Sequence, residues 1–247
     1  MKTVHFVRHG ETEQNKDGIW QGHTNTQLSK TGKAQAKLLS KRINLKNQTV
    51  FTSDLARAKE TAYFLSDSPN VRENLREINV GDFTGKSVKE TYSNNLDIFD
   101  ALQYDTYVFP NGESVQEFKL RVQKEVDHIF DNIDEDSECV VVTHGFFIGT
   151  AIGLVLGFNQ YPYPIGNIQN TSISTVIKRD SVMQVNKFND AIHLPNSYID
   201  YPAKDKSRIL TFIRHGQTDS NTQGVWQGHV DNPLNTYGVE TAKQLKG

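Results

Sequence analysis

Lys2-Thr3-Val4-His5-Phe6-Val7-Arg8-His9-Gly10 opens the chain, and Cys139-Val140-Val141-Val142-Thr143-His144-Gly145 repeats its plan 135 residues later. Each is a short run of β-branched and other apolar residues that ends in His-Gly, which reads as a strand running into a turn. The second run, Cys139–Thr143, is continuously apolar, as expected of a strand covered on both faces. Gly145–Leu156 follows it as a buried helix. In an open α/β sheet, ligands bind beyond the carboxyl ends of the strands, near a switch in strand order. His9 and His144 stand at two such ends, each followed by Gly and a helix start. The glycine lets backbone N–H groups approach an anion, and a helix N-terminus favours negative charge.

The remaining elements extend this frame. Gly32, Ala36, Leu39 and Ile43 are spaced to line one helix face. Thr49–Thr52 reads as a strand, after which Ser53 or Asp54 caps a helix with the stripe Leu55, Ala58, Ala62 and Leu65. Ser114-Val115-Gln116-Glu117 fits a capping box. Behind it Val115, Phe118, Val122, Val126, Ile129 and Ile133 step by three and four, predicting a long helix. Ser172–Lys178 and Val182–Phe188 form a hairpin around Arg179-Asp180-Ser181. Strands alternating with helices argue for a three-layer α/β/α sandwich with a mainly parallel, mixed sheet.

Composition narrows the function. The 247 residues are 36% hydrophobic and include 13 Phe, 9 Tyr and 2 Trp, so the chain is not of the disordered class. Lys+Arg 27 against Asp+Glu 29 gives a net charge of −2, without the basic excess of a nucleic-acid or membrane-surface binder. A single cysteine, Cys139, excludes an intramolecular disulfide or a Cys-rich zinc site. The amino terminus is too short an apolar run for a signal peptide, and Phe146–Phe158 is too short to span a bilayer. A cytoplasmic protein is the expectation.

Lys2–Lys41 aligns without a gap on Arg208–Gly247 at an offset of 206, with 16 of 40 pairs identical. Arg8/Arg214, His9/His215, Gly10/Gly216, Asn15/Asn221 and Trp20/Trp226 are among them. One unit of about 200 residues (1–203) is therefore followed by a linker and an abbreviated second copy (204–247), joined through the polar, Pro-containing Tyr201–Ser207.

Arg8-His9-Gly10-Glu11-Thr12, with Asn15 and Gln21-Gly22, resembles the signature of the histidine phosphatase superfamily, the phosphoglycerate mutase-like proteins. The resemblance continues through Ser53–Ala58, Leu75–Phe83, Gly112-Glu113-Ser114, Val142–Gly145 and Ala191–Leu194, in order. It implies that His9 accepts a phosphoryl group. Arg8, Arg57 and His144 would surround the phosphate, with Asn15, Gln21, Gly22 and Gly145 at its rim. Glu77 matches the general acid, which needs a raised pKa that burial can supply. The cationic side chains supply the charge, so no metal and no cofactor is implied.

Plainer roles stand beside these. Arg57 in a helix's first turn also suits a solvated arginine. Glu77 lies among Arg72, Glu73 and Arg76, where ion pairs are common and Glu73 competes with it. His5 reads as core or as a support behind the site, and His128 as exposed. His23 reads equally as the rim of a substrate entrance or as a solvated loop residue. His193 reads as structural or supporting.

The resemblance divides between two branches. Glu77 and His144 are 67 positions apart, shorter than the mutase branch, which carries an insert with basic residues for a substrate carboxylate. The expectation is a metal-independent phosphatase acting on small phosphate monoesters. A phosphoglycerate mutase-type phosphotransferase and a non-catalytic phospho-ligand-binding protein of the same fold remain as alternatives. Tyr92, Phe99, Tyr104, Tyr107 and Phe109 read equally as a lid over an apolar substrate part or as packing. Small phosphate monoesters are the expected partners, nucleic acid and membrane are not, and a homodimer is left open.

Overall fold

The computed structural model describes residues 1–43, 48–94, 106–158, 167–195 and 213–244. The connector at 201–207, the second copy's strand as far as Phe212, Phe99, Tyr104 and the side chain of Tyr92 lie outside the described residues. The chain divides into two compact units, Met1–Asp200 and Tyr201–Gly247.

In the first unit, β1 (Lys2–Arg8), β2 (Thr49–Ser53), β3 (Asn70–Arg72), β4 (Glu138–Thr143), β5 (Ile173–Arg179) and β6 (Val182–Asp190) make one sheet in the order β3-β2-β4-β1-β5-β6. Neighbours from β3 to β1 run parallel, β5 runs antiparallel to β1, and β6 is antiparallel to β5. This is the mainly parallel, mixed sheet that the alternation of elements predicts. The helices are α1 (Glu13–Lys16), α2 (Lys30–Arg42), α3 (Ala56–Tyr63), α4 (Val88–Asn94), α5 (Val115–Asn132) and α6 (Gly145–Val155), with 3-10 turns at Glu73–Leu75 and Gly81–Phe83.

β4 explains the layering. Successive side chains of a strand point to opposite faces. Cys139 and Val141 join Phe118, Val122 and Ile129 of α5 and Phe147 and Ile148 of α6 in one core. Val140 and Val142 join Leu39 of α2 and Ala58 and Ala62 of α3 in another. The strand is covered on both sides, as its continuous apolar run requires. The capping box at Ser114 is formed, its Oγ accepting from Glu117 N at 3.1 Å and Glu117 Oε2 from Ser114 N at 2.9 Å. The cap of α3 differs from expectation. Leu55 occupies it, and Ala56 N donates to Asn25 Oδ1 at 2.7 Å. Ser53 and Asp54 are spent elsewhere, on His144 and Arg76.

The second unit contains α7 (Asp219–Thr222) and α8 (Thr236–Gln244). It repeats the local conformation of the first copy, including the capping box of Thr218 and Asn221 that matches Thr12 and Asn15. Its apolar residues fare differently. Trp20 is 7% exposed, packed on Phe109 and Phe146, whereas Trp226 is 98% exposed.

No described helix is long and apolar enough to cross a membrane.

Candidate active site

Arg8 at the end of β1 pairs in register with Thr143 at the end of β4. His9 and His144 therefore leave adjacent strand ends, their ring centroids 5.1 Å apart. His9 is 3% exposed and His144 wholly buried. His9 Nδ1 lies 2.7 Å from the Gly10 carbonyl. A carbonyl can only accept, so Nδ1 carries the proton and Nε2 keeps its lone pair. The backbone is held just as closely. His9 N donates to Thr143 O at 2.9 Å, Asn170 Nδ2 to His9 O at 2.9 Å, and Thr171 N to Arg8 O at 2.9 Å.

Three other nitrogens gather here. Arg57 lies in the first turn of α3, off the Ala58–Ala62 stripe, and is 1% exposed. Its Nη1 donates to Thr24 O at 2.7 Å and its Nη2 to Gly22 O at 2.8 Å. Arg8 Nη1 donates to Ile168 O. A Cβ placed on Gly145 would stand in ordinary contact with Arg8 Nε, at 3.5 Å, so that guanidinium lies beside the start of α6. His144 Nε2 is 2.9 Å from Ser53 Oγ. Arg8 Nε, Arg57 Nε and His144 Nδ1 are buried without a hydrogen-bond partner among the described residues. Leaving such groups unpaired costs about 1–3 kcal/mol each, and more where they are charged. A bound anion would satisfy all three.

The charges agree. Burial lowers the Arg57 pKa to about 10, Glu77 pulling it up and Arg8 pushing it down. Burial also lowers the Arg8 pKa, against the pull of Glu77. His9 is held well below 6.5 by burial, then by Arg57 and Arg8. His144 is lowered in the same way, with His9 adding to the effect. Both imidazoles are thus neutral at neutral pH.

Glu77 faces the same cluster. Burial raises its pKa, outweighing backbone donors from Phe146 and Ile78 and the pull of Arg57 and Arg8. Oε1 accepts from Ile78 N at 3.0 Å and Oε2 from Phe146 N at 3.2 Å. Its rival Glu73 is solvent-facing and paired with Arg76 at 2.6 Å.

Other predicted residues take narrower parts. Asn15 Oδ1 caps α1 and also accepts from Asn170 Nδ2 at 3.3 Å. Gln21 Oε1 accepts from Thr12 and Thr26 hydroxyls at 3.1 and 2.6 Å, which fixes its amide. Gly22 meets the cluster through its carbonyl on Arg57. His5 lies away from it, against Thr175 Oγ1 at 3.0 Å and Glu138 at 3.3 Å. His128 is exposed. His23 is half-buried, with Nε2 2.8 Å from Glu77 O. His193 accepts from Arg42 and stands 3.1 Å from Thr171 Oγ1, one residue behind the backbone of His9. Ser53, Asn170 and Thr171 were not singled out as site residues by sequence. A polar residue ending the buried strand Thr49–Ser53 is the one available signal, and it reads equally as a helix cap.

The chain as a whole is similar to known proteins. The model of the histidine phosphatase superfamily (branch 1) matches residues 4–191 and again 210–247. The metal-independent phosphoserine phosphatase of Arabidopsis thaliana is 30% identical over 199 residues, 76% of this chain and 82% of that protein. A probable phosphoglycerate mutase of an Enterobacter species is 28% identical over 213 residues, 83% of this chain and 99% of that protein. The crystal structure of a phosphoserine phosphatase mutant from Entamoeba histolytica, in complex with phosphoserine, superposes with a TM-score of 0.71. It is 28% identical and covers 79% of this chain and 100% of that one.

Proposed function

Since the chain belongs to the histidine phosphatase superfamily (branch 1), we propose that it hydrolyses small phosphate monoesters without a metal, through a phosphohistidine on His9. The observation that carries this reading is the trio of buried nitrogens without a partner among the described residues, Arg8 Nε, Arg57 Nε and His144 Nδ1, gathered with His9. The His9 Nε2 lone pair attacks phosphorus as the bond to the leaving oxygen breaks, and Glu77 gives that oxygen its proton. The Glu77 carboxylate then takes a proton from water, hydroxide displaces His9 Nε2, and inorganic phosphate leaves. Arg8, Arg57 and His144 stabilise charge on the phosphoryl oxygens throughout.

Hydrolysis is favoured over phosphoryl transfer between positions of a phosphoglycerate by the use made of Arg121. Its guanidinium is committed to Glu113 and to the carbonyls of Asn74, Arg76 and Glu77, and is not free for a substrate carboxylate. Phosphoserine, named for two of the similar proteins, is the first substrate to test, within a panel of phosphorylated metabolites.

Acid-labile phosphate should be trapped on His9 when wild-type enzyme is quenched with a labelled monoester, and His9→Ala should be folded and inactive. Full activity in His9→Ala, or loss of wild-type activity with chelator, would refute the mechanism.

A further inference from the structure

Glu77 lies in Arg76–Val80, a stretch with neither helix nor strand. A general acid has to stand within hydrogen-bond reach of the leaving oxygen, and an error of about 1 Å in such placement costs on the order of 100-fold in rate. Something other than secondary structure has to hold this stretch. Arg121 of α5 does part of it, donating to Asn74 O at 2.9 Å, Arg76 O at 2.8 Å and Glu77 O at 3.1 Å. Its guanidinium is fixed in turn by both oxygens of Glu113, at 2.9 and 2.8 Å. Glu113 also accepts from Asn79 N at 3.1 Å, and its own N–H donates to Asn79 O at 2.9 Å. The Glu77 carbonyl takes a second donor from the other side, His23 Nε2 at 2.8 Å. His23 adjoins Gly22, whose carbonyl orients Arg57. One peptide unit is thereby tied both to the acid and to the phosphate-binding arginine.

We propose that His23 and Arg121 are positioning residues for the Glu77 acid, with the His23 Nε2–H bond setting its distance from the phosphate loop. This rests on Glu77 being the acid. Burial, with Arg121 and Arg76 nearby, keeps the His23 pKa below its ordinary value, so the ring is neutral and Nε2–H is a plain donor to the carbonyl.

The test compares phenyl phosphate with 4-nitrophenyl phosphate, esters of like shape whose leaving groups differ in their need for a proton. The quantity read is kcat/KM, which reports phosphoryl transfer to His9 and not the later hydrolysis. In the full chain His23→Phe and His23→Leu, which lack the donor, should lose about tenfold on phenyl phosphate relative to 4-nitrophenyl phosphate. His23→Gln, which keeps an N–H donor, should recover most of that ratio. Inhibition by inorganic phosphate should stay at the wild-type value in all three. An equal loss on both esters, or no loss, in whichever donorless variant folds overturns the inference. Glu77→Gln serves as reference. If it fails to separate the esters, the acid assignment falls and this inference with it. If it separates them and the His23 variants do not, only the inference falls.

Discussion

His9 has one proton to place and the Gly10 carbonyl takes it, so the nucleophilic nitrogen is decided before substrate arrives. Its lowered pKa works in the same direction. A group whose protonated form is disfavoured by burial and by two arginines stays neutral, and so nucleophilic, to well below pH 6.5. Glu77 has the opposite sign. Burial raises its pKa, so the protonated form needed to aid the leaving group persists above the usual carboxyl range and is lost as pH rises through the raised value. The kcat/KM profile for an alkyl monoester should therefore rise through His9 on the acid side, below pH 6.5, and fall through Glu77 on the alkaline side. Glu77→Gln should abolish the alkaline fall, since its amide does not titrate. A fall that survives in Glu77→Gln would assign that limb to another group.

The loop carrying His9 rests on the start of α2 with backbone against backbone. A Cβ on Gly32 would stand 2.1 Å from Glu11 O, and one on Gly10 would stand 2.6 Å from Gly32 O. No side chain can swing aside to relieve that overlap. Gly32→Ala should cost about 1–3 kcal/mol, as overpacking does, read from urea denaturation, and should lower kcat/KM because the displaced atoms adjoin His9. Unchanged stability with full activity would show that the loop has slack. Sequence gave ready access to elements with a strong period or a cap of their own, such as the α5 stripe from Val115 to Ile133 and the apolar β4. It gave no access to segments whose conformation comes from distant partners. The three-residue β3 and the Arg76–Val80 stretch have no period to read, and the latter is shaped by Arg121, 45 residues away from Arg76. For the same reason His9, His144 and Arg57 were readable as a site from strand ends and motif, whereas Asn170 behind His9 was not.

The second unit contains counterparts of Arg8, His9 and Asn15 in Arg214, His215 and Asn221. His215 reproduces the His9 geometry, with Nδ1 2.7 Å from Gly216 O, yet it is exposed. Arg214 is exposed as well, and donors in open water stabilise a phosphoryl group far less than those in a water-excluded site. His215→Ala should leave kcat/KM unchanged, and a chain ending at Asp200 should keep both activity and thermal midpoint. A substantial loss in His215→Ala would mean that the second copy completes a site in another subunit. The same repetition leaves the protein with two tryptophans in opposite surroundings: Trp20, edge-on to Phe109 and tilted against Phe146, whose N–H donates to Glu77, and Trp226 almost entirely in solvent. Their emission is accordingly separable, blue-shifted and shielded for one, red-shifted and open to a collisional quencher such as iodide for the other. With Trp226 quenched, the remaining fluorescence is an intrinsic reporter of the packing around Trp20 and Phe146, one hydrogen bond from Glu77, with no label attached.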